Sequence, residues 1–94
     1  MLTHDNIVNA VNKAIHEFPL TKVAYFGSYA EGRANEQSDL DLLVEFEQES
    51  VSLLTIIGLK QYIEDELGIS VDIIHAPIPP DALIRVENEV PVYG

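Results

Sequence analysis

Apolar residues recur at helical spacing near the start of the chain, where Ile7, Val8, Val11, Ala14, Ile15 and Phe18 form one stripe. This predicts an amphipathic helix from His4 to Phe18. Thr3 is a candidate N-cap, Asp5 lies in the favourable first turn, and Pro19 ends the segment. Lys22-Val23-Ala24-Tyr25-Phe26 is a short apolar run closed by Gly27, which reads as a strand buried on both faces. Ser28 to Arg33 reads as a short helical turn and Ala34 to Ser38 as a polar loop. The period then changes to two. From Asp39 to Phe46, Leu40, Leu42, Val44 and Phe46 fall on one face of a strand, and Asp39, Asp41, Leu43 and Glu45 on the other.

Ser50 can cap a helix running to Leu67, with an apolar stripe that includes Leu53, Ile56, Ile57, Ile63 and Leu67. Gly68 suits the left-handed position that closes such a helix. Ser70 to His75 is a third strand. Pro77, Pro79 and Pro80 then force an extended connection into a last helix, Asp81 to Val90, ended by Pro91, in which Leu83, Ile84 and Val86 face the core. The expected fold is α/β (α+β), a small mixed β-sheet packed with helices. With 94 residues, no repeat and no linker, the expectation is one domain, 1–94.

Composition narrows the function classes. Hydrophobic residues make up 47% and charged residues 22%, so the chain has the makings of a core and no signature of disorder. There is no cysteine, which excludes disulfides, thiolate zinc sites and a cysteine nucleophile. No apolar run approaches the ~20 residues that span a bilayer, and Met1 to Asp5 lacks a signal-peptide pattern, so the expected location is the cytosol with no membrane partner. Sixteen acidic residues against five basic ones give a net charge of -11. Five scattered cations do not make a surface for phosphate neutralisation, which argues against a long nucleic-acid substrate. The acidity supports solubility and suits a basic protein partner.

Three places carry candidate chemistry. At Gly27-Ser28 a buried strand breaks at a glycine and a turn begins at a serine, a junction that offers backbone N–H groups and a hydroxyl to a phosphate; an ordinary capped turn has the same sequence. Asp39 and Asp41 alternate within a strand and so share a face. At a separation of roughly 6 Å and an effective dielectric of about 20, two such carboxylates repel by roughly 3 kcal/mol. Arg33 is the only cation nearby in sequence, so a divalent ion such as magnesium or manganese is the economical compensation, against the simpler reading of a solvated acidic face. Asp72 stands among apolar neighbours in Ser70-Val71-Asp72-Ile73-Ile74. If its strand lies beside that of Asp41, three carboxylates converge, enough for two metal ions in phosphoryl transfer, with Asp72 able to accept the proton of an attacking hydroxyl. His4, His16 and His75 show no metal-ligand spacing, and Tyr29 and Tyr62 read as packing aromatics.

Taken together, Phe26-Gly27-Ser28-Tyr29-Ala30 and Ser38-Asp39-Leu40-Asp41-Leu42-Leu43-Val44, with Asp72 on a third strand, resemble the signature of the DNA polymerase beta-like nucleotidyltransferase superfamily, in its minimal (MNT) branch. The resemblance covers almost the whole chain, including the closing Val90-Pro91-Val92-Tyr93. It implies the nucleotidyltransferase fold, Gly27 and Ser28 on nucleotide phosphates, Asp39 and Asp41 on Mg2+, and Asp72 completing the metal site and assisting deprotonation. Members of this branch pair with HEPN-domain proteins as MntA-type antitoxin to toxin, and some transfer AMP from ATP to a tyrosine hydroxyl of the toxin. Glu31 departs from the family pattern, where a basic residue is common; Arg33 either supplies that charge to the nucleotide or pairs with Glu31.

Two functions of different class follow from the resemblance. One is a Mg-dependent nucleotidyltransferase acting on a HEPN-type partner, in an oligomer with it. The other is a non-catalytic antitoxin that neutralises a HEPN ribonuclease by binding alone, in keeping with Glu31 and the negative charge. Transfer to a small molecule such as an aminoglycoside, or to an RNA 3′ end, fits less well, because the chain shows no added acceptor domain and no basic groove.

Overall fold

The computed structural model describes residues 2–48, 50–76 and 88–94. The described elements run α1 (His4–Ala14), β1 (Leu20–Phe26), β2 (Leu40–Phe46), α2 (Leu53–Leu67), β3 (Val71–His75) and β4 (Val90–Tyr93). The strands form one mixed sheet in the order β3-β2-β1-β4. β1 is antiparallel to both β2 and β4, and β2 is parallel to β3. A parallel pair needs a crossover, and α2 provides it.

Local sequence accounts for most element ends. Thr3 closes a capping box on α1, accepting from the Asn6 N–H while Asn6 Oδ1 accepts from the Thr3 N–H. α2 begins at a Ser52 cap rather than at Ser50 and ends at Gly68, whose φ of 71° is left-handed. Ile15 to Phe18 leave the expected first helix as turns, ahead of Pro19.

The core lies between the two helices and one face of the sheet. Ile7, Val11 and Ala14 of α1 and Leu59 and Ile63 of α2 close over Val23 and Tyr25 of β1, Leu40, Leu42 and Val44 of β2, and Val71 of β3. Fully burying an aliphatic side chain of this kind contributes about 1.5–3 kcal/mol. Alternation in β2 is as read from the sequence: Leu40, Leu42, Val44 and Phe46 are buried, whereas Asp41, Leu43 and Glu45 are half-buried on the opposite face.

Three expectations need correction. In α2, Leu53 is 71% and Ile57 50% exposed, with Leu54 beside them at 79%. At the ~100° per residue of an α-helix, Leu53 and Ile57 lie roughly 120° or more around the axis from Leu59, outside the stripe that meets the sheet. Gly27 to Gly32 forms turns that do not continue as a helix: the Glu31 N–H donates to Gly27 C=O, four residues back as in one helical turn, but the Arg33 N–H donates to Ser28 C=O, five residues back. The expected last helix lies outside the described residues from Asp81 to Glu87, with Leu83, Ile84 and Val86 among them. At its far end, Asn88 has a φ of 55° and Val90 is already in β4, paired with Tyr25. A β-branched residue opposite a buried aromatic suits a sheet better than a helix terminus.

Candidate functional site

Sheet topology brings the singled-out residues to one end. β1 finishes where β2 and β3 begin, so Gly27-Ser28, Asp39-Asp41 and Asp72 share that end. Asp41 is opposite Asp72 across the parallel pair and opposite Phe26 across the antiparallel one. In-register residues on neighbouring strands point to the same face, at a strand spacing of about 4.8 Å. Asp41 and Asp72 are therefore side-by-side acids on the face opposite the helices. Asp39 precedes β2 and is exposed.

These acids repel one another. Burial, then the Asp72 charge, then the Asp39 charge push the Asp41 carboxyl above its ordinary value. No cation relieves the crowding among the described residues, since each described lysine and arginine is engaged with an acid elsewhere. Lys13 meets Glu66 at 2.9 Å, Lys22 meets Glu45 at 3.9 Å, Arg33 meets Glu31 at 3.1 Å, and Lys60 meets Glu64 at 2.6 Å. Hard, uncompensated oxygen donors are the ligand set that divalent magnesium or manganese takes. The chemistry of Asp41 and Asp72 fits such an ion. Among the described residues, however, no three acids or histidines are gathered into a ready-made ligand cluster. Asp39 adds a smaller repulsion on Asp41 than Asp72 does.

Gly27 has a second reason to be glycine. Its φ of 69° is left-handed, and a Cβ there would overlap the Asp41 carboxylate, with Asp41 Cγ only 3.3 Å away. The turn thus passes directly over the central acid, so a phosphate held at Gly27-Ser28 would lie next to Asp41. Ser28 is half-buried. The sequence pointed to the glycine but not to this contact, which depends on how β1 and β2 are paired.

Arg33 does not face this cluster with a free guanidinium. Its Nε donates to Glu31 Oε1, the side chain is 65% exposed, and Glu31 raises its pKa. This is the Glu31 pairing that the sequence offered as one of its roles. Tyr29 packs against the core, and Tyr62 meets Phe18 edge-on, as packing aromatics should. His4 Nδ1 lies 2.8 Å from the Tyr25 hydroxyl, and His75 meets Phe46 edge-on; neither joins the acidic cluster.

Sequence reasoning missed Lys60 and Glu64. Lys60 Nζ donates to Glu64 Oε2 and to Val71 C=O, and the Val71 N–H donates back to Glu64 Oε2, immediately before Asp72. The helical i,i+4 spacing of the pair was a readable signal. Its strand partner was not.

Residues 7–92 match the nucleotidyltransferase domain family. The chain is 44% identical over 71 residues to MntA of Thermococcus cleftensis, a protein adenylyltransferase, covering 74% of this chain and 71% of the relative. Further curated relatives are matched over 58% of their own length. Among solved structures, one of a minimal nucleotidyltransferase is similar at a TM-score of 0.65 and 37% identity, over 81% of this chain and 84% of that one. A chain from the complex of a tri-AMPylated Shewanella oneidensis HEPN toxin with its MNT antitoxin gives a TM-score of 0.71 over 98% of this chain and 73% of its own. At 18% identity that likeness concerns the fold alone.

Proposed function

The chain belongs to the nucleotidyltransferase domain family, and we propose that it transfers AMP from ATP to a hydroxyl of a HEPN-type toxin, acting as that toxin's antitoxin. The observation that carries this reading is the register pairing of Asp41 with Asp72 beneath the Gly27 turn. A protein acceptor is supported by the adenylyltransferase relative, and a HEPN-type toxin is what the resemblance to the minimal branch implies.

In this reading Gly27 and Ser28 receive the phosphates, and Asp39, Asp41 and Asp72 hold Mg2+. The ion, when bound, neutralises the triphosphate and favours ionisation of the attacking hydroxyl. Asp72, at the exposed edge of the cluster, accepts the hydroxyl proton. The hydroxyl oxygen bonds to the α-phosphorus, the bond to the bridging oxygen breaks, and pyrophosphate leaves. Asp41, wedged between Gly27 and Asp72, fixes the relative position of the phosphates and the proton acceptor.

The test is incubation with α-labelled ATP, magnesium and the purified toxin partner. Label should move to the toxin with the wild-type chain and fail to move with Asp39→Ala/Asp41→Ala. An unlabelled toxin would refute transfer, and equal labelling by the double variant would refute the assignment of the chemistry to these aspartates.

A second reading is neutralisation by binding alone, and the Glu31–Arg33 pair favours it, because it occupies the cation that follows the phosphate turn. Toxin neutralisation by Asp39→Ala/Asp41→Ala at equal protein levels would establish that reading. Retained complex with lost neutralisation would exclude it.

A further inference from the structure

Among the described residues β3 is an edge strand, so alternate residues turn their backbone N–H and C=O away from β2. The Leu40 N–H donates to Ser70 C=O at 3.0 Å, which leaves the Val71 groups pointing outward. Both are taken by side chains of α2. The Val71 N–H donates to Glu64 Oε2 at 2.9 Å, Lys60 Nζ donates to Val71 C=O at 2.7 Å, and the two side chains join at 2.6 Å. The Val71 side chain, meanwhile, is fully buried in the core. Among the described residues, these are the only side-chain hydrogen bonds to the β3 backbone, and both lie at the end that carries the acids.

We infer that Lys60 and Glu64 are positioning residues for the carboxylate site, fixing β3 at the residue before Asp72 so that Asp72 stays level with Asp41. The need is electrostatic. Asp41 and Asp72 repel across neighbouring strands, and the edge strand is the one free to move outward, since β2 is held on both sides. A side-chain clamp on both polar groups of Val71 opposes that movement without placing a cation in the site. The inference rests on the reading of Asp39, Asp41 and Asp72 as a metal site only for its effect on metal binding; its effect on β3 is independent of that reading.

The experiment compares the full chain with Glu64→Ala, Glu64→Gln and Lys60→Met by two measurements. One is Mn2+ affinity followed by electron paramagnetic resonance. The other is amide hydrogen exchange at Val71 and Asp72 in the metal-free protein. A lost hydrogen bond to a charged group makes local opening about tenfold or more easier, so exchange at Val71 and Asp72 should speed up by about that factor in Glu64→Ala, with Val23 and Val44 unchanged. Mn2+ affinity should fall by about tenfold in Glu64→Ala and by less in Glu64→Gln, which retains an acceptor for the Val71 N–H. Lys60→Met, which keeps an unbranched apolar stem without the charge, removes the hold on Val71 C=O and is expected to change exchange and affinity in the same directions if Glu64→Ala does not fold. Exchange at Val71 and Asp72 that stays within twofold of wild type would overturn the inference. Faster exchange with unchanged Mn2+ affinity would also overturn it, leaving a clamp with no role at the site. A wild-type chain that binds no Mn2+ would contradict the metal reading instead, and exchange alone would then decide whether Glu64 and Lys60 hold β3.

Discussion

Asp41 and Glu64 are both carboxylates at the same end of the sheet, and their surroundings drive them in opposite directions. Asp41 is half-buried beside Asp72, and burial together with two neighbouring charges raises its pKa. Glu64 accepts from Lys60 and from the Val71 N–H, which lower its pKa. Among the described residues, one acid is left without a cation where a ligand can supply it. The other is fully partnered where only the strand needs holding. The difference locates function more sharply than acidity does, since a chain with sixteen acids has many carboxylates but few pressed together without a cation.

The largest break in this comparison should come from Asp41→Ala, which removes the central oxygen donors. AMP transfer should fall by about 100-fold or more, since losing even an outer-shell partner of a metal costs about 10- to 100-fold, with folding retained by circular dichroism. Activity within threefold of wild type would put the chemistry elsewhere. Gly27→Ala should come next, because it forces a side chain into the left-handed region and against Asp41. The conformational term alone costs about 1–2 kcal/mol, to be read from urea unfolding, and transfer should fall beyond what the lost stability explains. An unaffected protein would mean that the turn and Asp41 are not in contact.

The opposite pKa directions give opposite pH signatures. For Asp41 the folded pKa lies above the unfolded one, so the folded state binds the proton more tightly. Its penalty is absent below the ordinary value of 3.8 and fully present once pH has risen through the folded pKa. Asp41→Asn should therefore raise the melting temperature by a few degrees at neutral pH, with the gain vanishing in acid. For Glu64 the folded pKa lies below the ordinary 4.5, so its contribution is present above that value and lost as pH falls through the folded pKa. Glu64→Gln should lower the melting temperature at neutral pH and converge on wild type in acid. Same-direction shifts in the two variants would erase the distinction between the acids. The smallest effect belongs to Glu31→Ala, which frees an exposed Arg33 beside the turn and should lower KM for ATP by about two- to fivefold, in line with the modest energies of surface ion pairs. An unchanged KM would leave Arg33 no part in nucleotide binding.

Much of this arrangement was legible in the sequence where local rules decide. Thr3 and Gly68 mark helix ends through their own chemistry, and the alternation in β2 put Asp41 opposite the core-facing leucines. The alignment of Asp72 with Asp41 is only conditional in the sequence, because periodicity assigns faces within a strand but not register between strands. What stayed hidden depended on partners distant in sequence. The apolar Leu53 and Ile57 read as core until the orientation of α2 on the sheet was known. Val90 read as the end of a helix until Tyr25 was seen beside it. The role of Gly27 in making room for Asp41, and the hold of Lys60 and Glu64 on Val71, arise only when strands and helix meet.

In the proposed function, the paired acids at this sheet end hold the divalent cation that transfer requires. Mn2+ titration of the wild-type chain against Asp41→Asn and Asp72→Asn tests it most directly. Saturable binding by the wild type is expected, with affinity about tenfold or more weaker in each variant and both variants folded. Equal affinity in all three proteins, or no binding by the wild type, would contradict it.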